Sequence, residues 1–267
     1  SATAASSGSD LNGAAVADAC KTLRDRLIPV AVDLLLAKGD RSAEALRAEF
    51  HSGKITCNGA HFVSFDEVVT EAYLRRISLS ATGYYRTPEI YYDRAAGRGR
   101  PFFYFACGAS ASEIEIDCLT GALRVLRVDI FHDVGSSLNE GIDRGQIEGG
   151  FVQGMGWLTG EELIWNSKGH LLSHGASTYQ IPSIGDVPAD FRISLLRDAA
   201  QQGTIHGSKA VGEPPLMLAI SVREAIRDAV ASFAAAGTPV ILDSPTTGEA
   251  IFRAIRKDRK STRLNSS

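Results

Sequence analysis

Apolar residues fall at helical spacing near the start of the chain. Val16, Cys20, Leu23 and Leu27 would share one face of a helix predicted from about Asn12. Residues 40–50 contain a short helical stretch, and Ser64 with Glu67 has the spacing of a capping box before a helix running to about Arg76. The period then changes to alternation. Residues 78–86 and 102–106 read as strands, and Glu113-Ile114-Glu115-Ile116 leads through Thr120-Gly121 into 123–131 as a hairpin. The segment DRAAGRGR at 93–100 reads as a loop, either a solvated turn or a phosphate site. Strands are predicted at 161–165 and 191–196, with a turn at 166–169.

Two helical stretches stand out. GQIEGGFVQGMGWLTG carries glycine at 145, 149, 150, 154, 156 and 160, yet Ile147, Phe151, Met155 and Leu158 keep a helical period. Each interior glycine costs about 1 kcal/mol relative to alanine, so something must come close to that helix: a packed helix or other backbone, or a flat ligand. Gln146 and Gln153 lie on its polar side. In LMLAISVREAIRDAVASF, Leu218, Val222, Ile226, Val230 and Phe233 recur at helical spacing. Immediately before it stands Gly212-Glu213-Pro214-Pro215. Proline pushes its predecessor towards extended backbone and suits a helix's first turn. Glu213 is therefore a carboxylate on a stiff elbow, either capping the helix and favouring its dipole or serving as a general base.

Composition narrows the picture. The 267 residues are 44% hydrophobic and 22% charged with net charge −3, values of a soluble globular protein without a nucleic-acid or membrane-surface partner. No apolar run approaches a membrane span. The chain lacks an initiator Met and a signal peptide, and reads as a piece of a longer protein. Cys20, Cys57, Cys107 and Cys118 form no CxxC pair. Cys20 and Cys118 suit small buried thiols, and the expected compartment is the reducing cytoplasm. His170 and His174 lack the glutamate of a zinc-protease motif, and no protein metal ligand is expected. His132-Asp133 reads as a satisfied surface pair. Lys209 is either a surface charge or a neighbour of an anionic ligand. The tail from Lys257 shows no periodicity and reads as disordered or foreign to the fold.

The motifs SKAVGEPPL at 208–216, GQIEGGFVQGMG at 145–156, SEIEIDCLTG at 112–121, DVGSSLN at 133–139, SLSATGYYRTP at 78–88 and TAAS at 3–6 resemble, in their order along the chain, the C-terminal part of the molybdenum hydroxylases. The similarity is greatest to the molybdenum-binding subunit of bacterial xanthine dehydrogenases. It covers about residues 1–256, with 257–267 left as tail. Aldehyde oxidases share GEPP but are less similar at 78–88.

The resemblance implies an α+β fold: the second half of a molybdopterin-binding domain, with mixed sheets and packed helices. It implies that Glu213 is the catalytic base, that Gln146 reaches the molybdopterin, and that Ala4, Ala5 and Ser6 pass the cofactor. Gly8 stands where many relatives have serine, which puts one pterin contact in doubt. The molybdenum would be held by pterin sulfurs. The implied reaction is hydroxylation of xanthine or hypoxanthine towards urate, with water as the oxygen source. Electrons would pass to Fe-S, FAD and NAD on a partner subunit of a hetero-oligomer. The upstream half of the molybdenum subunit would complete the site, so the isolated chain is expected to be inactive. An aldehyde oxidase-like hydroxylase and a non-catalytic interaction fragment are the alternatives.

Overall fold

The computed structural model describes residues 6–40, 48–57, 61–234, 237 and 239–264, with side chains described only as far as 257. The chain divides into two compact units. The first is Ser7–Phe103, and the second joins Ser6 to the described residues of Tyr104–Ser267.

In the first unit a π-helical turn, Gly8–Gly13, runs into helix α1 (Ala14–Ala37). The predicted apolar face is only partly used. Leu27 is buried, but Val16 and Cys20 are exposed. The core lies further along, where Val30, Ala31, Val32 and Leu35 meet Ile55, Val63, Val68 and Ala72. These come from a small antiparallel sheet, β1 (Glu49–His51), β2 (Lys54–Thr56) and β3 (Val63–Ser64), and from α2 (Phe65–Leu74). That core is too short to cover the first turns of α1. The helical stretch expected at 40–50 falls largely outside the described residues, and its described end belongs to β1. The capping box at α2 is present: Ser64 Oγ accepts the Glu67 N–H at 3.1 Å and Glu67 accepts the Ser64 N–H at 2.8 Å.

Residues 78–86 pair with no strand among the described residues. Side chains of α1 take their backbone groups instead. Arg26 donates to the carbonyls of Ser78 and Ser80 at 3.2 and 2.8 Å, and Asp18 accepts the Tyr84 N–H at 3.1 Å. The expected loop at 93–100 is the tip of a short hairpin, β4 (Tyr91–Asp93) with β5 (Arg98–Arg100).

The second unit is built on β6 (Gly108–Ile116), β7 (Leu123–His132) and β8 (Asp190–Leu195). The hairpin β6–β7 is antiparallel with a bulge at Glu113/Ile114, and β8 runs parallel to β7. A parallel pair needs a crossover, and α3 (Glu140–Thr159) lies in it, opened by Asn139, whose side chain accepts the Ile142 N–H. Ile147, Phe151, Met155 and Leu158 of α3 are all buried. They share a core with Val128 and Ile130 of β7, with Val222, Ile226 and Val230 of α4 (Ile220–Ala231), and with Ile251 and Ile255 of α5 (Gly248–Leu264). Helix α5 continues through Lys257 into the stretch without periodicity. The architecture is α+β with mixed sheets. Among the described residues, two predicted strands besides 78–86 do not form: 102–106 has no ladder, and 161–165 keeps a single bridge, Trp165 to Leu171. The turn at 166–169 is present, closed by Gly169 N–H on the Asn166 carbonyl. No helix among the described residues is long and apolar enough to cross a membrane.

Candidate functional site

Glu213 opens the six-residue 3₁₀ helix Pro214–Ala219, which continues into α4. Its backbone is not extended, as its place before proline predicts, but helical, with φ −95° and ψ −35°. The reason is local: the Glu213 carbonyl accepts the Leu216 N–H at 3.0 Å and closes the first 3₁₀ turn. That bond offsets the steric bias imposed by proline.

The side chain does not cap this helix. Among the described residues its hydrogen-bond partner is the Ser6 hydroxyl, a long 3.5 Å from Oε2. The same Ser6 oxygen accepts the Glu213 N–H at 2.9 Å. A hydroxyl can donate and accept at once, so Ser6 ties the backbone of Glu213 firmly and its carboxylate loosely. Ser6 adopts φ +50°, the sparsely populated left-handed region. Ala4 and Ala5, the neighbouring candidates, lie outside the described residues.

Gln146 reaches the same spot from α3. A Cβ placed on Gly212 would stand 2.9 Å from Gln146 Oε1 and 3.0 Å from Ser6 Oγ. A side chain at 212 would press on both groups, and glycine lets them close over the backbone just before Glu213 without displacement. Three predicted site residues, Ser6, Gln146 and Glu213, are thus brought together. Gln153, two turns further along α3, is exposed and belongs to no such cluster.

The glycines of α3 have two roles. A Cβ on Gly150 would come within 2.7 Å of the Gly212 carbonyl, and one on Gly154 would strike the Leu216 carbonyl and lie 2.9 Å from Ala219 Cβ. The close neighbour expected from the sequence is therefore the backbone of the 3₁₀ helix that begins at Glu213. Gly145 and Gly149, beside Gln146, meet nothing within 4 Å. They leave a strip without side chains next to an exposed amide. An amide, a hydroxyl and open backbone around Gly212 suit a flat ligand rich in hydrogen-bonding groups. Among the described residues no group of three His, Cys, Asp or Glu is arranged to hold a metal, and His170 and His174 are exposed.

Behind the elbow, two readings are corrected. His132 and Asp133 are not a surface pair: they are 1% and 6% exposed. They sit at the end of β7, the central strand, covered on both edges by neighbours. Lys209 is neither a surface charge nor open to an anion. Its ammonium is 2.5 Å from Asp133 Oδ2 and 3.0 Å from the Phe105 carbonyl. Neither ring nitrogen of His132 has a partner among the described residues. Burial pushes the imidazole pKa down, Asp133 opposes this and nearby Lys209 adds to it. Cys118 is half-buried and Cys20 exposed, so only the former approaches the expected buried thiol. Asp133 and Tyr104 had no signature in the sequence that marked them as support, because their roles depend on partners more than seventy residues away.

Residues 1–188 match the molybdopterin cofactor-binding domain family. The chain is 46% identical to a xanthine dehydrogenase/oxidase from Felis catus over 95% of its own length and 18% of that protein. It is 44% identical to a xanthine dehydrogenase from Oryza sativa subsp. japonica, over 94% of the chain and 17% of that protein. It thus spans less than a fifth of these curated relatives. Among solved structures it is similar to quinoline 2-oxidoreductase from Pseudomonas putida 86, with TM-score 0.77 and 29% identity over 95% of this chain and 30% of that one. It also shares its fold with an aldehyde oxidoreductase from Desulfovibrio desulfuricans, with TM-score 0.67 and 21% identity over 94% of this chain and 23% of the other.

Proposed function

The chain belongs to the molybdopterin cofactor-binding domain family, and from that premise we propose that it is the C-terminal part of a xanthine dehydrogenase whose general base is Glu213. The observation that carries this reading is the convergence of Ser6, Gln146 and Glu213 around Gly212, with the Glu213 carboxylate free of any helix-capping bond. The names borne by the cat and rice relatives support the substrate class.

The residues present fit the cofactor. The Gln146 amide and the open glycine strip of α3 would hold the pterin, and Ser6 would border it. When bound, the molybdenum–pterin group supplies the oxidising chemistry. This chain's own part is to place a carboxylate. The Ser6 hydroxyl and the 3₁₀ turn fix the Glu213 backbone, so the side chain can hold a proton taken at Oε1 or Oε2 while a purine ring carbon is hydroxylated with water as the oxygen source. Fe-S, FAD and NAD on a partner subunit would carry the electrons away, which makes the assembly a hetero-oligomer. The four free cysteines agree with a reducing cytoplasm.

The test uses the whole molybdenum protein that carries this chain, assembled with its partner and assayed on xanthine and on an aromatic aldehyde. Faster turnover of xanthine, abolished by Glu213→Gln with molybdenum retained, is the expected result. Preference for the aldehyde would move the protein to the aldehyde-oxidising branch. Turnover that survives in the Gln variant would remove Glu213 from the mechanism.

A further inference from the structure

The segment bearing Glu213 is fastened at its other end by a buried ion pair, which the proposed reaction does not use directly. Lys209 and Asp133 are 11% and 7% exposed at their side chains. Asp133 spends its two oxygens on different parts of the backbone support: Oδ1 accepts the Gly135 N–H at 2.8 Å, and Oδ2 takes the Lys209 ammonium at 2.5 Å. The ammonium also donates to the Phe105 carbonyl at 3.0 Å. Around this pair the backbone is stitched together. Lys209 N–H donates to the Val134 carbonyl at 2.9 Å, Ser208 bridges to Gly135, and Ala210 N–H donates to the Tyr104 hydroxyl at 2.7 Å. From Ala210 only Val211 and Gly212 intervene before Glu213, whose N–H is tied to Ser6.

A buried ion pair contributes little net stability compared with an apolar replacement of similar volume, because both charges lose their hydration. What it does supply is direction. An ammonium shared between a carboxylate and a carbonyl has one place to sit, and its own backbone is held with it. We propose that Lys209 and Asp133 are positioning residues for Glu213. They fix the 208–213 segment so that the carboxylate projects from a rigid elbow at the Gln146 and Ser6 cluster. The proposal rests on Glu213 acting as the base.

The test is hydrogen exchange combined with kinetics on the assembled enzyme. In the paired variant Lys209→Met with Asp133→Asn, no lone charge is left buried. Amides of Ala210 and Glu213 are expected to exchange at least about tenfold faster, while those of Ile226 and Val230 in α4 are unchanged. For xanthine, kcat is expected to fall about tenfold, with KM and molybdenum content within about twofold of wild type. Ile226→Val, which loosens the core without touching the segment, should not give this pattern. Lys209→Arg keeps the charge but spreads its donors, so it should fold and show a smaller change of the same sign. It decides the matter if the paired variant does not assemble. Unchanged exchange at Ala210 and Glu213, or an unchanged kcat, overturns the proposal provided that Glu213→Gln is inactive. If Glu213→Gln keeps its turnover, the general-base reading falls instead, and the positioning role with it.

Discussion

Glu67 and Glu213 both stand at helix starts, and the structure treats them in opposite ways. Glu67, in the first turn of α2, has its carboxylate fully engaged. The Ser64 N–H reaches it at 2.8 Å and the Lys38 ammonium at 2.9 Å. The Ser64 N–H first, then Lys38 and the Ser64 hydroxyl, pull its pKa down to about 2. Glu213 makes no such bonds. Its backbone is held, by Ser6 and by its own 3₁₀ turn, while its carboxylate is exposed and, among the described residues, meets a hydroxyl at 3.5 Å. A carboxylate that completes a helix has committed the oxygens a base needs, and the same hydrogen bonds make it a poor proton acceptor. A working base needs a rigid backbone and free oxygens. These are separate requirements, and Glu213 meets them with separate groups.

The comparison breaks first at Glu213. Glu213→Gln keeps the shape but is a very poor base, so turnover of the assembled enzyme should fall at least about a hundredfold. Its melting temperature and molybdenum content should stay close to wild type. A drop in melting temperature with turnover intact would mean that Glu213 serves the helix as Glu67 does. Gln146→Ala sharpens the contrast from the side of the ligand: molybdenum retention should fall, while Gln153→Ala leaves it unchanged, as read by metal analysis of purified protein. Equal metal in both variants would separate Gln146 from the site.

The backbone support of Glu213 can be probed on one helix with the same change at two positions. Gly154→Ala drives a Cβ into the Leu216 carbonyl of the 3₁₀ helix and should destabilise the chain by about 1–3 kcal/mol. Gly149→Ala enters open space and should stabilise the helix by up to about 1 kcal/mol, though it fills part of the strip assigned to the pterin. Equal denaturation midpoints for the two would mean that α3 does not support the elbow as described. At the other glutamate, Ser64→Ala should cost about 0.5–2 kcal/mol through loss of the cap, with turnover on xanthine unaffected.

The smallest effects are in pH. The folded pKa of Glu67 lies below the ordinary 4.5, so its contribution is complete above about pH 4.5 and is lost as the pH falls through about 2. Glu67→Gln should flatten the stability profile in that window. Burial lowers the folded pKa of His132 as well, so here too the unfolded chain binds the extra proton. Its contribution is complete above the ordinary 6.5 and declines as the pH falls below it. His132→Phe should remove that decline, and melting curves between pH 7 and 5 would show whether it does.

Local chemistry determined much of this protein without the structure. The capping box at Ser64, the hairpin through Thr120-Gly121, and the buried faces of α3 and α4 depend on neighbours within a few residues, and the sequence pattern specified each. Glu213 and Gln146 were legible too, through motifs and through glycine and proline at set offsets. What the pattern could not contain was pairing over distance. Residues 78–86 alternate like a strand, but α1 side chains satisfy their backbone. His132-Asp133 has the composition of a surface pair, but its strand lies in the middle of the sheet. Ser6, Gln146 and Glu213 meet where α3, which lies in the β7–β8 crossover, packs against the 3₁₀ helix, and Gly150 and Gly154 let the two backbones touch. The side chains present are a property of the sequence. Which oxygens are already occupied, and which remain free to take a proton, was decided by tertiary packing, because a hydrogen bond depends on where its partner lies in space.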